Sequence, residues 1–396
     1  VDQSTSIEVG EKVDRFHRVH SPKKRPRFRV SFPTGLISDG DRSNSYSRLV
    51  DELARRFADF ARAFEFGAPL YGRIAARVSR EPRVLDLMSV TPQTQRIPVL
   101  LLASAHHLLL AEPNHPLADH YPNFERTYAE GDVTDHFVNF VLSRSGPMRE
   151  LLATRSTQTN EIGRCNWFLF PLSMLNDEVG SLARVDIGSS AGLTLLAPHI
   201  DYDIRPGGLI GSGSTLTIGC DVRGEPPLPS RTPDVVRSLG IDASPIDVHD
   251  DDQVRWLEAC AWPEQVERFA RLRSAISLAR VHDIRVDNGD AVDDVAGAVE
   301  RLREHGHPVV TTSWVLNYLS PERRTQFVDA LDRIGTTTDL SWIIAESPRE
   351  TPELPGHAGK DEDITVISLV TWRRGARRVT RLATTHPHGN WVNWGA

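Results

Sequence analysis

The stretch "RVDIGSSAGLTLL", residues 184–196, fits two chemistries at once. Gly188-Ser189-Ser190-Ala191-Gly192 matches G-x-S-x-G, the nucleophile elbow of a serine hydrolase, with Ser190 as the nucleophile. With Asp186 in front, the same residues match acidic-x-G-x-x-x-G, the glycine turn of a nucleotide-binding α/β domain. In that turn Gly188 and Gly192 let backbone N–H groups approach a ligand at a helix N-terminus. An elbow needs a downstream acid and His, and an oxyanion hole from an earlier strand and loop. The chain before 183 reads as helical and holds no H-G-G-type loop, although His386 and His388 come late enough to serve a triad.

The glycine-turn reading asks for acids at the ends of later strands. "VVRSLGIDASP" ends an apolar run at Asp242, which is placed to accept hydrogen bonds from a ribose. "IRVDNGDA" supplies Asp290 after Gly289. Asp201 and Asp203, in "HIDYDIRP", are an alternative place for the ribose acid. Asp186 suits either a cofactor-side acid or a cap for the following helix, and Ser189 and Ser190 keep the turn small. Trp314, Asn317 and Tyr318 follow a fourth apolar run and offer an aromatic face to a cation or an acceptor. Glu346 ends "SWIIAE", as a pocket carboxylate or a solvated strand end.

The earlier half offers bases. His106 and His107 are adjacent in "LLLASAHHLLL", and adjacency on a helix lets one of them face inward. In "TQTNEIGRC", Thr159 or Asn160 suits an N-cap. Glu161 and Arg164 are spaced to pair along a helix. If an OH or NH acceptor needed deprotonation, His106, His107 or Glu161 would do it. "DVHDDDQ" (247–253) reads as a helix cap, because consecutive carboxylates cannot converge on one metal. His386-Pro-His388 reads as surface. No metal site is expected.

These residues need a scaffold, and the texture of the chain describes one. The 396 residues carry a formal charge of −7, with 39% hydrophobic and 25% charged residues. That balance fits a soluble globular chain of about two domains and argues against a general nucleic-acid or anionic-membrane binder. Three widely spaced cysteines form no metal or disulfide pattern, so a reducing cytoplasm is expected, with no signal peptide. Residues 1–45 read as a disordered basic tail containing "KKRPRFRV" (23–30). Residues 46–180 read as helical. There Leu49, Val50, Leu53, Phe57, Phe60 and Phe64 repeat near period 3.6. From 181 to 396 short apolar runs alternate with helical ones, the pattern of a parallel α/β sheet. An inserted hairpin is expected near 201–232. "DITVISLVTW" and "RRVTRLATT" are expected as an antiparallel pair at the sheet edge.

"DIGSSAG", "GIDASP", "NGDA" and "VVTTSWVLNYLSPERRTQFVDAL", in that order, resemble the successive motifs of class I S-adenosylmethionine-dependent methyltransferases over about 181–396. The whole chain is similar to an uncharacterised bacterial family, domain of unknown function number 2332. That similarity rests on "PLYGRIA", "LLLASAHHLLL", "TQTNEIGRC", "DIGSSAGLTLL", "GIDASPIDV" and "WLEACAWPE", over about 55–350. The first resemblance implies a Rossmann-like sheet capped by the N-terminal all-helical domain, with S-adenosylmethionine as cofactor and a small molecule as substrate. Asp186, Gly188, Ser189, Ser190, Gly192, Asp242, Asp290 and Trp314 would then face the cofactor, and Tyr318 the acceptor. The chain departs from the methyltransferase pattern in carrying Ser190 where the turn has its middle glycine. Three rivals stay open: a catalytically silent protein of the same fold, a serine hydrolase using Ser190, and a nicotinamide-dependent oxidoreductase reusing the turn.

Overall fold

The computed structural model describes residues 39–126, 131–357 and 364–395, with side chains from Tyr46 onward. The basic stretch at 23–30 lies outside the described residues. Contacts divide the chain into two units, Val1–Tyr46 and Ser47–Ala396.

The described chain is helical at first: α1 (Asp39–Ala63), α2 (Pro69–Val78), α3 (Pro82–Asp86), α4 (Pro98–Ala111), α5 (Val133–Ser143), α6 (Ser145–Thr154) and α7 (Cys165–Val179). Helix α1 thus begins ahead of the expected 46. Prolines open α2, α3 and α4, where the missing N–H costs nothing. Asp132 caps α5 by accepting from Thr134 N. Leu53, Phe57 and Phe60 of α1 are buried, one turn apart.

The later part alternates: β1 (Leu182–Ile187), β2 (Asp201–Arg205), β3 (Gly208–Ile210), β4 (Thr217–Arg223), β5 (Val235–Asp242), α8 (Asp251–Ala259), α9 (Val266–Ala279), β6 (Val286–Asn288), α10 (Ala291–Leu302), β7 (His307–Ser313), α11 (Pro321–Gly335), β8 (Leu340–Glu346), β9 (Thr365–Arg373), β10 (Ala376–Thr385) and β11 (Trp391–Trp394). Asp250, Asp290 and Ser320 cap α8, α10 and α11 with their side-chain oxygens. Asp250 realises the cap read in "DVHDDDQ".

The eleven strands of the described residues form one mostly parallel sheet, in the order β3-β2-β4-β11-β10-β9-β8-β7-β1-β5-β6. The segment β6-β5-β1-β7-β8 is parallel, and its chain order reverses between β1 and β7. β9 and β10 do pair antiparallel, but inside the sheet rather than at its edge. The edge is displaced because β11 pairs with β10 and then with β4, whose alternating pattern buries Ile218, Cys220 and Val222. The region near 201–232 does hold a hairpin. Its β2–β3 hairpin and β4 extend the sheet.

Alternation along β1 assigns its two faces. Ala183, Val185 and Ile187 pack with α10, α11 and Trp342, whereas Leu182, Arg184 and Asp186 face the side where α7 and the helical core lie.

Candidate functional site

The carboxyl ends of β1, β5, β6, β7 and β8 bring the glycine turn, Asp242, Gly289-Asp290, the 314–318 loop and Glu346 to one edge of the sheet. In open α/β sheets, ligands bind outside such ends, where the strand order reverses.

In the turn, Gly188 and Gly192 have φ of +72° and +71°. A Cβ on Gly188 would lie 2.3 Å from Val315 Cγ2, and one on Gly192 2.6 Å from Ile284 Cγ2. Both glycines are thus required by packing as well as conformation. Four N–H groups of the turn are used internally. Gly188 N and Ser189 N donate to Ile241 O, Gly192 N to Ser189 O, and Ser190 N to Asp242 Oδ2 at 2.7 Å. The turn leads into a 3-10 helix, Leu193–His199, not the expected α-helix. Ser190 has φ +52°, and its buried Oγ has no hydrogen-bond partner among the described residues.

Asp186 is enclosed. It accepts from Arg184 Nη2 (3.0 Å), Thr311 Oγ1, Ser189 Oγ (2.9 Å) and Thr194 Oγ1 (2.7 Å). Both Asp186 and Ser189 are tied into the scaffold in this way. Asp242 is half-buried and accepts one N–H on each oxygen, from Ser190 and Ser244. Asp290 caps α10 and pairs with Arg323. Asp201 accepts three loop N–H groups, from Ser212, Gly213 and Ser214, and Asp203 sits on β2. Trp314 has φ +54° and donates Nε1–H to Thr365 Oγ1. Glu346 is buried rather than solvated. Its Oε1 accepts from Val315 N and Leu316 N, and burial pushes its carboxyl up to about 7.

The segment 157–164 crosses these strand ends. Gln158 Nε2 donates to Ser244 O after β5, Asn160 Nδ2 to Ser189 O after β1, and Arg164 Nη1 to Ser313 O at the end of β7. Arg164 does not make the expected helical pair with Glu161. Nor do Thr159 or Asn160 cap the turn, because Glu161 itself accepts from Gly163 N. Buried Glu161 lies 2.5 Å from Arg268 Nε, 3.8 Å from Arg271 Nη2 and 3.8 Å from His388 Nδ1. His388 is therefore part of this cluster and not merely surface. Burial, reinforced by Arg268 and Arg164, pushes its imidazole down to about 3, so it is neutral.

Two cavities flank the cluster, one of about 450 Å³ and one of about 850 Å³, and Gln265, Arg268 and His388 line both. Exposed Tyr318 lines the smaller. His106 and His107 line neither, and both are buried, contrary to the expectation that one would face inward. The reason is that α4 is apolar on all sides and packed all round. His106 bonds Ala259 O and Asn123, and burial pushes it down to about 4; His107 lies 3.3 Å from Asp252. The sequence singled out neither Arg268 nor Arg271 as a site residue, and offered His388 only as a triad histidine or as surface. The i, i+3 arginines in "VERFARLR" are the one local sign of them.

The fold and site thus define a mixed α/β protein whose strand ends are covered by a polar segment and helices. A family model described as an uncharacterized protein conserved in bacteria matches residues 54–394, and the chain belongs to that family. No curated protein and no solved structure matches the chain. Among the described residues no helix is long and apolar enough to cross a membrane.

Proposed function

We propose that the chain is an S-adenosylmethionine-dependent methyltransferase of Rossmann-like fold acting on a small molecule, with the cofactor at the ends of β1 and β5. The observation that carries this reading is Asp242, held against the glycine turn through Ser190 N. A carboxylate has about four acceptor sites. Ser190 and Ser244 use two, which leaves acceptors for the two hydroxyls of a ribose. Ser190 Oγ, buried and without a hydrogen-bond partner among the described residues, is a second group that such a ligand would satisfy.

The rival chemistries fit less well. A pyrophosphate needs free N–H groups at a helix N-terminus, and here those of Gly188, Ser189, Ser190 and Gly192 are bonded within the chain, which weighs against a nicotinamide dinucleotide. A serine nucleophile needs a base within hydrogen-bond reach, and none touches Ser190 Oγ among the described residues.

When bound, S-adenosylmethionine supplies an electrophilic methyl group on a sulfonium. The chain's own task is then to align an acceptor and exclude water. Segment 157–164 and the helices over it suit that task. One observation favours a second reading, a catalytically silent binding protein: Gln158 and Asn160 bond directly to strand-end carbonyls, so the chain's own side chains cover that edge.

Calorimetric titration with S-adenosylmethionine and its demethylated product tests the proposal. Asp242→Asn should weaken binding by roughly 1.5–3 kcal/mol, the range for a hydrogen bond to a charged group, and Asp203→Ala should leave it unchanged. Absence of binding to the unaltered chain overturns the methyltransferase reading. Binding with no transfer of a labelled methyl to any acceptor supports the silent one.

A further inference from the structure

The smaller cavity has a lining with a definite chemistry. Phe64, Tyr71 and Trp262 form an aromatic cluster in its wall, with centroids 4.8 Å apart and edge to face for Phe64–Trp262, and 5.8 Å apart and tilted for Tyr71–Trp262. Tyr71 is buried, and its hydroxyl has no hydrogen-bond partner among the described residues. A buried donor left so is costly, and a polar atom of a ligand would satisfy it.

Charge supplies the second requirement. Among the residues lining this cavity, Arg268 is the cation and none is acidic. Glu264, whose carboxylate takes the N–H of Tyr71, lines the larger cavity instead. Glu161 is shared between Arg268 and Arg271, and Arg164 also feels the charges of both Glu161 and Arg268. Arg164 also faces Glu346, so Arg268 and Arg271 are two guanidiniums sharing one buried carboxylate, which leaves room for a further anion. Arg268 donates Nη1–H to Gln265 and sets Nε beside Glu161 as an ion pair, and neither contact engages Nη2. One open donor edge suits a monoanion better than a phosphate.

We propose that this cavity binds a small aromatic carboxylate, its ring against Phe64, Tyr71 and Trp262 and its carboxylate on Arg268. The size agrees, since about 450 Å³ lies in the range of small-molecule sites. The proposal stands whether or not the strand ends hold S-adenosylmethionine.

The test is calorimetry on the full chain with three probes: indole-3-acetate, the isosteric but uncharged indole-3-acetamide, and the non-aromatic hexanoate. Indole-3-acetate should bind at least about tenfold more tightly than either control, a margin of about 1.4 kcal/mol. Phe64→Ala, at a half-exposed position that the fold can tolerate, should weaken both indoles in parallel. Arg268→Met should abolish the preference for the acid while keeping the amide. Because that change strands Glu161, the double variant Arg268→Met/Glu161→Gln, which removes both charges, should give the same result. Equal affinity for acid and amide, no binding of indole-3-acetate at millimolar concentration, or a preference that survives in the double variant overturns the proposal.

Discussion

Arg184 and Asp186, two residues apart on one face of β1, form a buried ion pair at 3.0 Å. The guanidinium also lies 4.4 Å over the ring of Phe168 on α7, and Thr311, Ser189 and Thr194 complete the shell of the carboxylate. The acid that opens the glycine motif therefore ties β1, β7 and the turn together. Removing one member of a buried pair strands the other charge. Asp186→Ala should cost about 3–5 kcal/mol, and Asp186→Asn, which keeps acceptor and shape, clearly less. Urea unfolding of the two variants measures both. A loss below about 1 kcal/mol for Asp186→Ala would mean that the pair behaves like an exposed one.

Ser190 separates a nucleophile from a turn residue. Its Oγ bonds to nothing among the described residues, so Ser190→Ala removes no internal hydrogen bond. Its unfolding free energy should stay within about 0.5 kcal/mol of the unaltered chain. Affinity for S-adenosylmethionine should fall by about 1 kcal/mol, less than for Asp242→Asn. Neither the chain nor the variant should react with a fluorophosphonate. Stoichiometric labelling of Ser190 would reverse the choice between the two motif readings.

Gly192 tests whether the turn is held by its neighbours. A Cβ there meets Ile284 and Val286 at 2.6 and 2.9 Å, and φ is +71°. Gly192→Ala should destabilise the chain by about 1–3 kcal/mol. The larger Gly192→Val should lower the yield of folded protein, so it is a poor probe of ligand binding alone. Thermal unfolding of the alanine variant decides this, and an unchanged midpoint would contradict the packing.

Legibility in the sequence tracks the range of the forces involved. The alternation after 182 was legible because strand and helix periodicities are local, and Asp186, Asp242 and Asp290 do fall at strand or helix boundaries. The place of β4 was not legible. It pairs with β11 across some 170 residues of chain, and parallel pairing leaves no local mark. The same distance hid His388, whose neighbour Glu161 lies in another part of the sequence. "TQTNEIGRC" stood out as a polar motif, but its role is to bond backbone carbonyls at three strand ends, and composition does not reveal such partners. The histidine pair was misread because period alone assumes a helix with one wet face, and α4 has none.

Glu346 gives the chain a pH signature. Burial raises its carboxyl from an ordinary 4.5 to about 7, against the opposing pull of the Val315 and Leu316 N–H groups and of Arg164 and Arg324. A raised carboxyl contributes stability that is fully present below its unfolded value and is lost as pH rises through the folded value. The window is therefore pH 4.5 to 7. His106 acts in the opposite sense. Pushed down from 6.5 to about 4, it contributes stability present above the higher value and lost as pH falls toward the lower. Glu346→Gln keeps an acceptor oxygen for the two N–H groups but cannot ionise, while His106 is common to both proteins and cancels in their difference. The unaltered chain should thus lose about 3 kcal/mol relative to Glu346→Gln between about pH 4.5 and 8, read from urea unfolding at a series of pH values. A difference that stays flat across that window would show that this carboxyl takes up no proton on folding.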